Sequence, residues 1–164
     1  MAEAARILPL ENLAFALPGL SLLPATSAER ISLRARPDAV DALGEAAGLA
    51  LPRAPRTSAS NDGVAALWLG PDEWLLIAKE GTGLAGRFSS LSGILYSAVD
   101  ISHRNTAIIV EGAKAAVTLN SGCPQDLSLE AFPSGACART ILGKVEVILY
   151  RQGPDKFRVE CWRS

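Results

Sequence analysis

One histidine, His103, and three cysteines, Cys123, Cys137 and Cys161, are the only imidazole and thiolate metal ligands in this 164-residue chain. No CxxC pair occurs among them, and a structural zinc site needs four donors at close spacings, so no zinc site is expected. The odd, widely spaced thiols read as reduced and partly buried, which points to a reducing compartment. No apolar run approaches the roughly 20 residues of a membrane span. The richest one, residues 13–23, is broken by Pro18 and Gly19. Residues 1–10 carry Glu3 and Arg6 where a signal peptide would need an apolar stretch, so no leader is expected and the location is read as cytoplasmic. Neither sign of charge dominates: the net charge is -1 and the isoelectric point about 5.9. That excludes the broad basic field that would attract nucleic acid or an anionic membrane.

What the chain does have is apolar mass. Hydrophobic residues reach 49% and mean hydropathy is +0.21, mildly high for a free monomer. Abundant alanine explains this, and so does surface hidden against a partner. A chain of this length fits one domain with a core large enough to need no metal or disulfide.

Residues 1–28 form an arm without a clean period of either kind, punctuated by Pro9, Pro18 and Pro24. Such an arm lies on its own domain, the favoured reading, or on a neighbouring subunit; Phe15, Leu17 and Leu20 are its candidate interface residues. Strand order begins at Glu29, where Ile31, Leu33 and Ala35 alternate with arginines and Ser32. A helix is predicted over 39–47, ended near Gly48, then a polar loop over 52–63. Residues 64–69 and 73–79 flank Gly70-Pro71-Asp72, the chemistry of a hairpin turn. A helix over 84–91 and a strand over 94–101 complete a β-α-β-β-α-β order, the ferredoxin-like arrangement.

The second half repeats the start of that pattern: a strand over 106–110, a helix over 113–121, then strands over 139–142, 144–151 and 156–163. The expected fold class is therefore α+β, with two ferredoxin-like halves (29–103 and 104–164) of antiparallel sheet and helices on one face. The second half reaches Ser164 without a closing helix, so that helix is absent or a partner covers its place.

Three constellations could carry chemistry. Gly81-Thr82-Gly83-Leu84-Ala85-Gly86 spells GxGxxG before a predicted helix, with Asp100 downstream, formally the dinucleotide fingerprint. Its preceding strand belongs to a tight hairpin, whereas a dinucleotide crevice needs parallel strands, and a glycine-rich turn is the favoured reading. Asp100, Ser102 and His103 contain the residue types of a hydrolytic relay, but neighbouring strand positions point to opposite faces, so His103 reads as a turn residue. Trp68, Trp74 and Trp162 could stack a planar cofactor; Trp68 and Trp74 flank the hairpin turn, where cross-strand packing suffices. Arg30, Arg34 and Arg36 read as a solvated face. No catalytic, cofactor-binding or metal residue is assigned.

Several ordered stretches together resemble the gamma subunit of heterotetrameric sarcosine oxidase. They are Gly48-Leu49-Ala50-Leu51-Pro52, Leu67-Trp68-Leu69-Gly70-Pro71-Asp72-Glu73-Trp74-Leu75 and Val99-Asp100-Ile101-Ser102-His103-Arg104. Val110-Glu111-Gly112, Asn120-Ser121-Gly122-Cys123-Pro124-Gln125-Asp126-Leu127, Ala131-Phe132-Pro133, Arg139-Thr140 and Leu142-Gly143-Lys144 continue the series. The resemblance implies an oxidoreductase complex that demethylates sarcosine to glycine with oxygen and passes the one-carbon unit to tetrahydrofolate. It implies alpha, beta and delta partners that hold NAD, FAD, FMN, the folate and zinc, and a gamma chain that binds no cofactor and lacks catalytic residues. The Asp100-x-Ser102-His103 block is also distantly similar to the folate-binding half of the glycine-cleavage T-protein, so an independent tetrahydrofolate or one-carbon binding module is the alternative. An isolated gamma chain would expose an apolar patch of several hundred Å² and is expected to self-associate.

Overall fold

The computed structural model describes residues 9–61 and 63–164. Among the described residues, eleven strands form two antiparallel sheets. The first contains β3 (Ala28–Ala35), β4 (Ser58–Ser60), β5 (Val64–Gly70), β6 (Glu73–Lys79) and β7 (Tyr96–Asp100), in the order β4-β5-β6-β3-β7. The helices α1 (Val40–Ala47) and α2 (Leu84–Phe88) belong to this half. Apart from β4, this is the ferredoxin-like order, with β3 central and antiparallel to β6 and β7.

Local chemistry sets these elements. Pro37 opens a 3-10 turn that leads into α1, where Val40, Leu43, Gly44 and Ala47 recur on one face and are buried. Gly48, at φ 83°, ends the helix in the left-handed conformation and returns its N–H to the carbonyls of Gly44 and Glu45. That face, with Leu84 and Phe88 of α2, packs on Ile31, Leu33, Trp74 and Leu76 to make the first core. Each fully buried leucine here contributes about 1.5–3 kcal/mol. β5 carries a register shift between Trp68 and Gly70, just before the turn, and Trp68 pairs with Trp74 across the hairpin, as its sequence predicted.

The second sheet has the order β1-β2-β8-β11-β10-β9. Its strands are β1 (Phe15–Leu17), β2 (Leu20–Pro24), β8 (Asn105–Glu111), β9 (Cys137–Leu142), β10 (Val145–Gly153) and β11 (Lys156–Trp162), with α3 (Ala115–Asn120) after β8. Phe157, Val159, Leu149 and Val147 face the second core, which α3 and the segment carrying Leu127, Phe132 and Ala136 cover. Arg151 fixes that segment: its Nη1 donates to the carbonyls of Leu127 and Phe132 at 2.9 and 2.7 Å, and its guanidinium lies over the Phe157 ring.

The structure differs from the sequence reading in four places. The arm, to which no element was assigned, contains the hairpin β1–β2; it joins the chain's own second sheet, the favoured placement, with β2 antiparallel to β8 from Ser21↔Glu111 to Pro24↔Ile108. β2 thus holds beside β8 the place that β7 holds beside β3, and the second core, expected to lack a cover, is closed by the 121–136 segment. The loop over 52–63 contains the short strand β4, held by β5. The helix predicted to Leu91 ends at Phe88, because Ser89 Oγ and the backbone N–H of Ser89 both turn back to Gly86. The reading of residues 1–10 falls mostly outside the described residues. No helix among the described residues is long and apolar enough to cross a membrane.

The two sheets meet face to face. Leu67, Leu75 and Ile77 of the first pack on Cys137 and Tyr150 of the second. Arg139 of β9 clamps Glu73 of β6 with two bonds of 2.5 and 3.2 Å.

Candidate functional site

The glycine-rich motif lies where its sequence placed it, between β6 and α2, but its anion position is already filled. Gly81 and Gly83 adopt positive φ of 85° and 69°, which presents the backbone N–H groups of Gly83 and Leu84 together. Both donate to the carboxylate of Glu29, at 2.9 and 2.6 Å. A phosphate would need those same donors. The strand before the motif is antiparallel to both neighbours, and α2 has only five residues, so the motif serves as a turn closed by an internal carboxylate.

Asp100, Ser102 and His103 do not converge as a relay. Ser102 Oγ and its backbone N–H both donate to Asp100 Oδ1, at 2.5 and 2.8 Å, and Ser102 Oγ accepts the backbone N–H of Arg30. The serine hydroxyl is thus a structural link between β7 and β3. His103 is exposed in the turn that follows, its carbonyl accepting from Arg163. Trp74 is buried and donates its indole N–H to the Pro52 carbonyl, while Trp162 is exposed beneath the Arg104 guanidinium. Among the described residues no group of three or more His, Cys, Asp or Glu could hold a metal ion.

The charged cluster that sequence reading missed lies between the sheets. Arg30 is not on a solvated face: its side chain is 5% exposed, and its Nε donates to Glu160 Oε2 at 2.6 Å. Arg158 donates from Nε to Glu160 Oε1 at 2.7 Å. Glu160 itself is fully buried. Arg34, by contrast, is exposed and pairs with Asp72, which raises its pKa through that hydrogen bond and charge. The signal for the buried trio was present in β11, where Arg158 and Glu160 alternate with the core residues Phe157 and Val159. A period of two announces two faces and does not say that the second is also covered.

All three thiols are free. Cys137 is buried, donates to the carbonyls of Thr57 and Trp68, and burial pushes its pKa up to about 11. Only the thiolate reacts, so alkylation near pH 8 (about three units below that value) should modify the half-buried Cys161 before Cys137. Peptide mass spectrometry over a time course checks this; equal rates would contradict the burial.

The remaining surface feature is apolar. Phe15 and Leu17 of β1 are 51% and 55% exposed and Leu13 is 62% exposed, on a hairpin pinned to β8. Leu10, Leu13, Phe15, Leu22 and Ile108 line a groove of about 320 Å³ there. Leu20, the third candidate interface residue, is partly buried against the second core and supports the hairpin from within.

Residues 33–164 match the family described as sarcosine oxidase, gamma subunit. Among individual proteins, the chain is 35% identical over 136 residues to the sarcosine oxidase subunit gamma of an Arthrobacter species, covering 80% of this chain and 67% of that one. It is 34% identical over 136 residues to that of Corynebacterium sp. strain P-1, with the same coverage. Among solved structures, it superimposes on a chain of the heterotetrameric sarcosine oxidase from Corynebacterium sp. U-96, in complex with pyrrole 2-carboxylate. The TM-score is 0.89 at 30% identity, over 96% of this chain and 87% of that one. The glycine cleavage system aminomethyltransferase T from Bartonella henselae shares the fold at a TM-score of 0.64 and 18% identity, over 87% of this chain and 42% of that one.

Proposed function

The chain belongs to the sarcosine oxidase gamma subunit family, and on that premise we propose that it is a non-catalytic assembly subunit of a heterotetrameric sarcosine oxidase. In this reading the complex works in the cytoplasm and demethylates sarcosine to glycine, handing the one-carbon unit to tetrahydrofolate. The alpha, beta and delta companions carry NAD, FAD, FMN, the folate and zinc; this chain contributes shape and contact surface.

The observation that carries the reading is the β1–β2 hairpin. Three large apolar side chains, Leu13 just before β1 and Phe15 and Leu17 within it, are more than half exposed beside a hairpin whose β2 pairs with β8. A contiguous apolar surface of this kind marks an interaction site. The pairing of β2 to β8 already orders the hairpin, which lowers the ordering cost of a contact.

Co-expression with the three companion chains tests it. The parent chain is expected to co-purify with them in equal amounts, and failure to do so would remove the proposed function. Phe15→Asp combined with Leu17→Asp places two charges on that surface and should lower recovery of the complex at least tenfold, about 1.4 kcal/mol or more of association energy. Because both residues are exposed, the double variant should melt within a few degrees of the parent. Unchanged recovery would move the interface elsewhere. An independent tetrahydrofolate-binding module is not favoured, since likeness to the aminomethyltransferase at 18% identity supports the fold alone.

A further inference from the structure

β7 leaves one side of its backbone open. Ile101, just past its end, donates its N–H to the Arg30 carbonyl of β3 at 2.8 Å, and backbone groups alternate sides along an antiparallel strand. Val99 and Ser97 therefore bond to β3, while Tyr96 and Ala98 turn their N–H and C=O groups to the outer edge of the sheet. None of the described residues bonds them there. The second half shows what such a place accepts. β2 stands beside β8 as β7 stands beside β3, and β1 covers the edge beyond it; beyond β7 the described residues place no strand.

Edge strands are ordinarily short, charged or broken by proline. β1 and β4 span three residues each, and β9 carries Arg139 and has its Cys137 N–H taken by the Arg56 carbonyl. β7 has no such guard. Residues 94–99 read Ile-Leu-Tyr-Ser-Ala-Val, a run without charge, proline or glycine, the composition that pairs with copies of itself. Tyr96 and Ala98 pack on the first core, so Ser97 and Val99 lie on the opposite face, and Leu95 continues that alternation. Leu95 and Val99 are 71% and 52% exposed.

We propose that β7 pairs with β7 of a second copy of this chain, antiparallel, about a two-fold axis at Ser97. In that register each Tyr96 meets Ala98 of the other copy, so the open backbone groups satisfy one another. Leu95 meets Val99 on the exposed face, and both are covered. The two Asp100 residues fall at opposite ends, so no like charges face each other. Moving the axis to Tyr96 or Ala98 would set Leu95 or Val99 against Ser97 instead. Such pairing uses up both open edges and closes at two chains, which shields a lone chain from open-ended association. The inference rests on this strand alone and is independent of the assembly role proposed above.

Sedimentation velocity of the full chain over about 1–300 μM tests it. A monomer–dimer equilibrium is expected, with a dissociation constant on the order of 10–100 μM, because so short a pairing belongs with small, transient interfaces. Ser97→Lys puts two like charges face to face and should weaken the dimer at least tenfold; Ser97 is exposed, so the variant should melt with the parent. Ser97→Cys reads the register directly. Residues opposite each other in a pair of this kind have Cα atoms about 4.5 Å apart, within disulfide reach, so mild oxidation should cross-link this variant and leave the parent unlinked. Val99→Cys, exposed on the same face, should not cross-link, since the two positions lie about 13 Å apart along the strands. Phe15→Asp with Leu17→Asp should leave the dimer intact. A chain that stays monomeric throughout, a Ser97→Lys variant that dimerises as the parent does, Val99→Cys cross-linking as readily as Ser97→Cys, or a dimer lost with the hairpin variant would each overturn the proposal.

Discussion

Glu160→Ala should be the most damaging substitution in the ionic cluster, costing about 3–5 kcal/mol of stability. The carboxylate is fully buried and is the shared partner of Arg30 and Arg158, both nearly buried themselves. Removing it strands two positive charges between apolar sheets, and neither can lose its proton to escape. A domain of this size loses about 2–4 °C per kcal/mol, so the melting temperature should fall by about 10 °C. Replacing the whole trio, with Arg30→Met, Arg158→Met and Glu160→Leu together, should restore stability to near the parent, because the penalty belongs to unpaired charge and not to missing attraction. Thermal and denaturant melts of the two variants decide the matter. A Glu160→Ala chain that melts with the parent would show that the sheets do not depend on this cluster.

The same trio shows where sequence reading stops. The period of two in β3 placed Ile31, Leu33 and Ala35 in a core correctly, and they are buried there. Its other face carries Arg30 and Arg34, which look alike in sequence. One is buried against Glu160 and the other is in water beside Asp72, since the second sheet covers only one end of that face. The hairpin at Gly70-Pro71-Asp72 was legible because its turn chemistry is local. β2 was not, because its five residues are interrupted by prolines on either side, and its place is decided by pairing with β8, more than 80 residues away. β4 is three residues of serine and alanine, too short for any period. An internal comparison could have found it: β4 pairs with β5 as β9 pairs with β10, each an extra edge strand in its half. The glycine motif misled for a similar reason, since the residue that fills its anion position, Glu29, lies more than 50 residues earlier.

Gly112→Ala should strike the other structural joint, the corner where the arm meets its sheet. Gly112 follows β8 at φ 123°, a region that side chains rarely adopt. A Cβ there would lie 2.7 Å from the carbonyl carbon of Gly19, with the Gly19 oxygen nearer still. The corner has little room to yield. The Gly112 N–H donates to Asp155 in the β10–β11 turn at 2.8 Å, its carbonyl accepts from Ala115 at the start of α3, and Lys114 N–H donates to the Gly19 carbonyl. Strain at φ and the backbone clash together should cost about 2–5 kcal/mol. The hairpin, a two-strand ribbon paired only through β2, is the part that can move away. Hydrogen exchange should therefore rise in β1 and β2 while β3 to β7 stay protected, and proteolysis should begin within residues 9–24. If the exposed side chains of that hairpin dock the companions, recovery of the complex falls with it, although Gly112 itself touches no partner in this scheme. A variant that assembles, melts and exchanges as the parent does would mean that the close approach at Gly19 imposes no constraint on the arm.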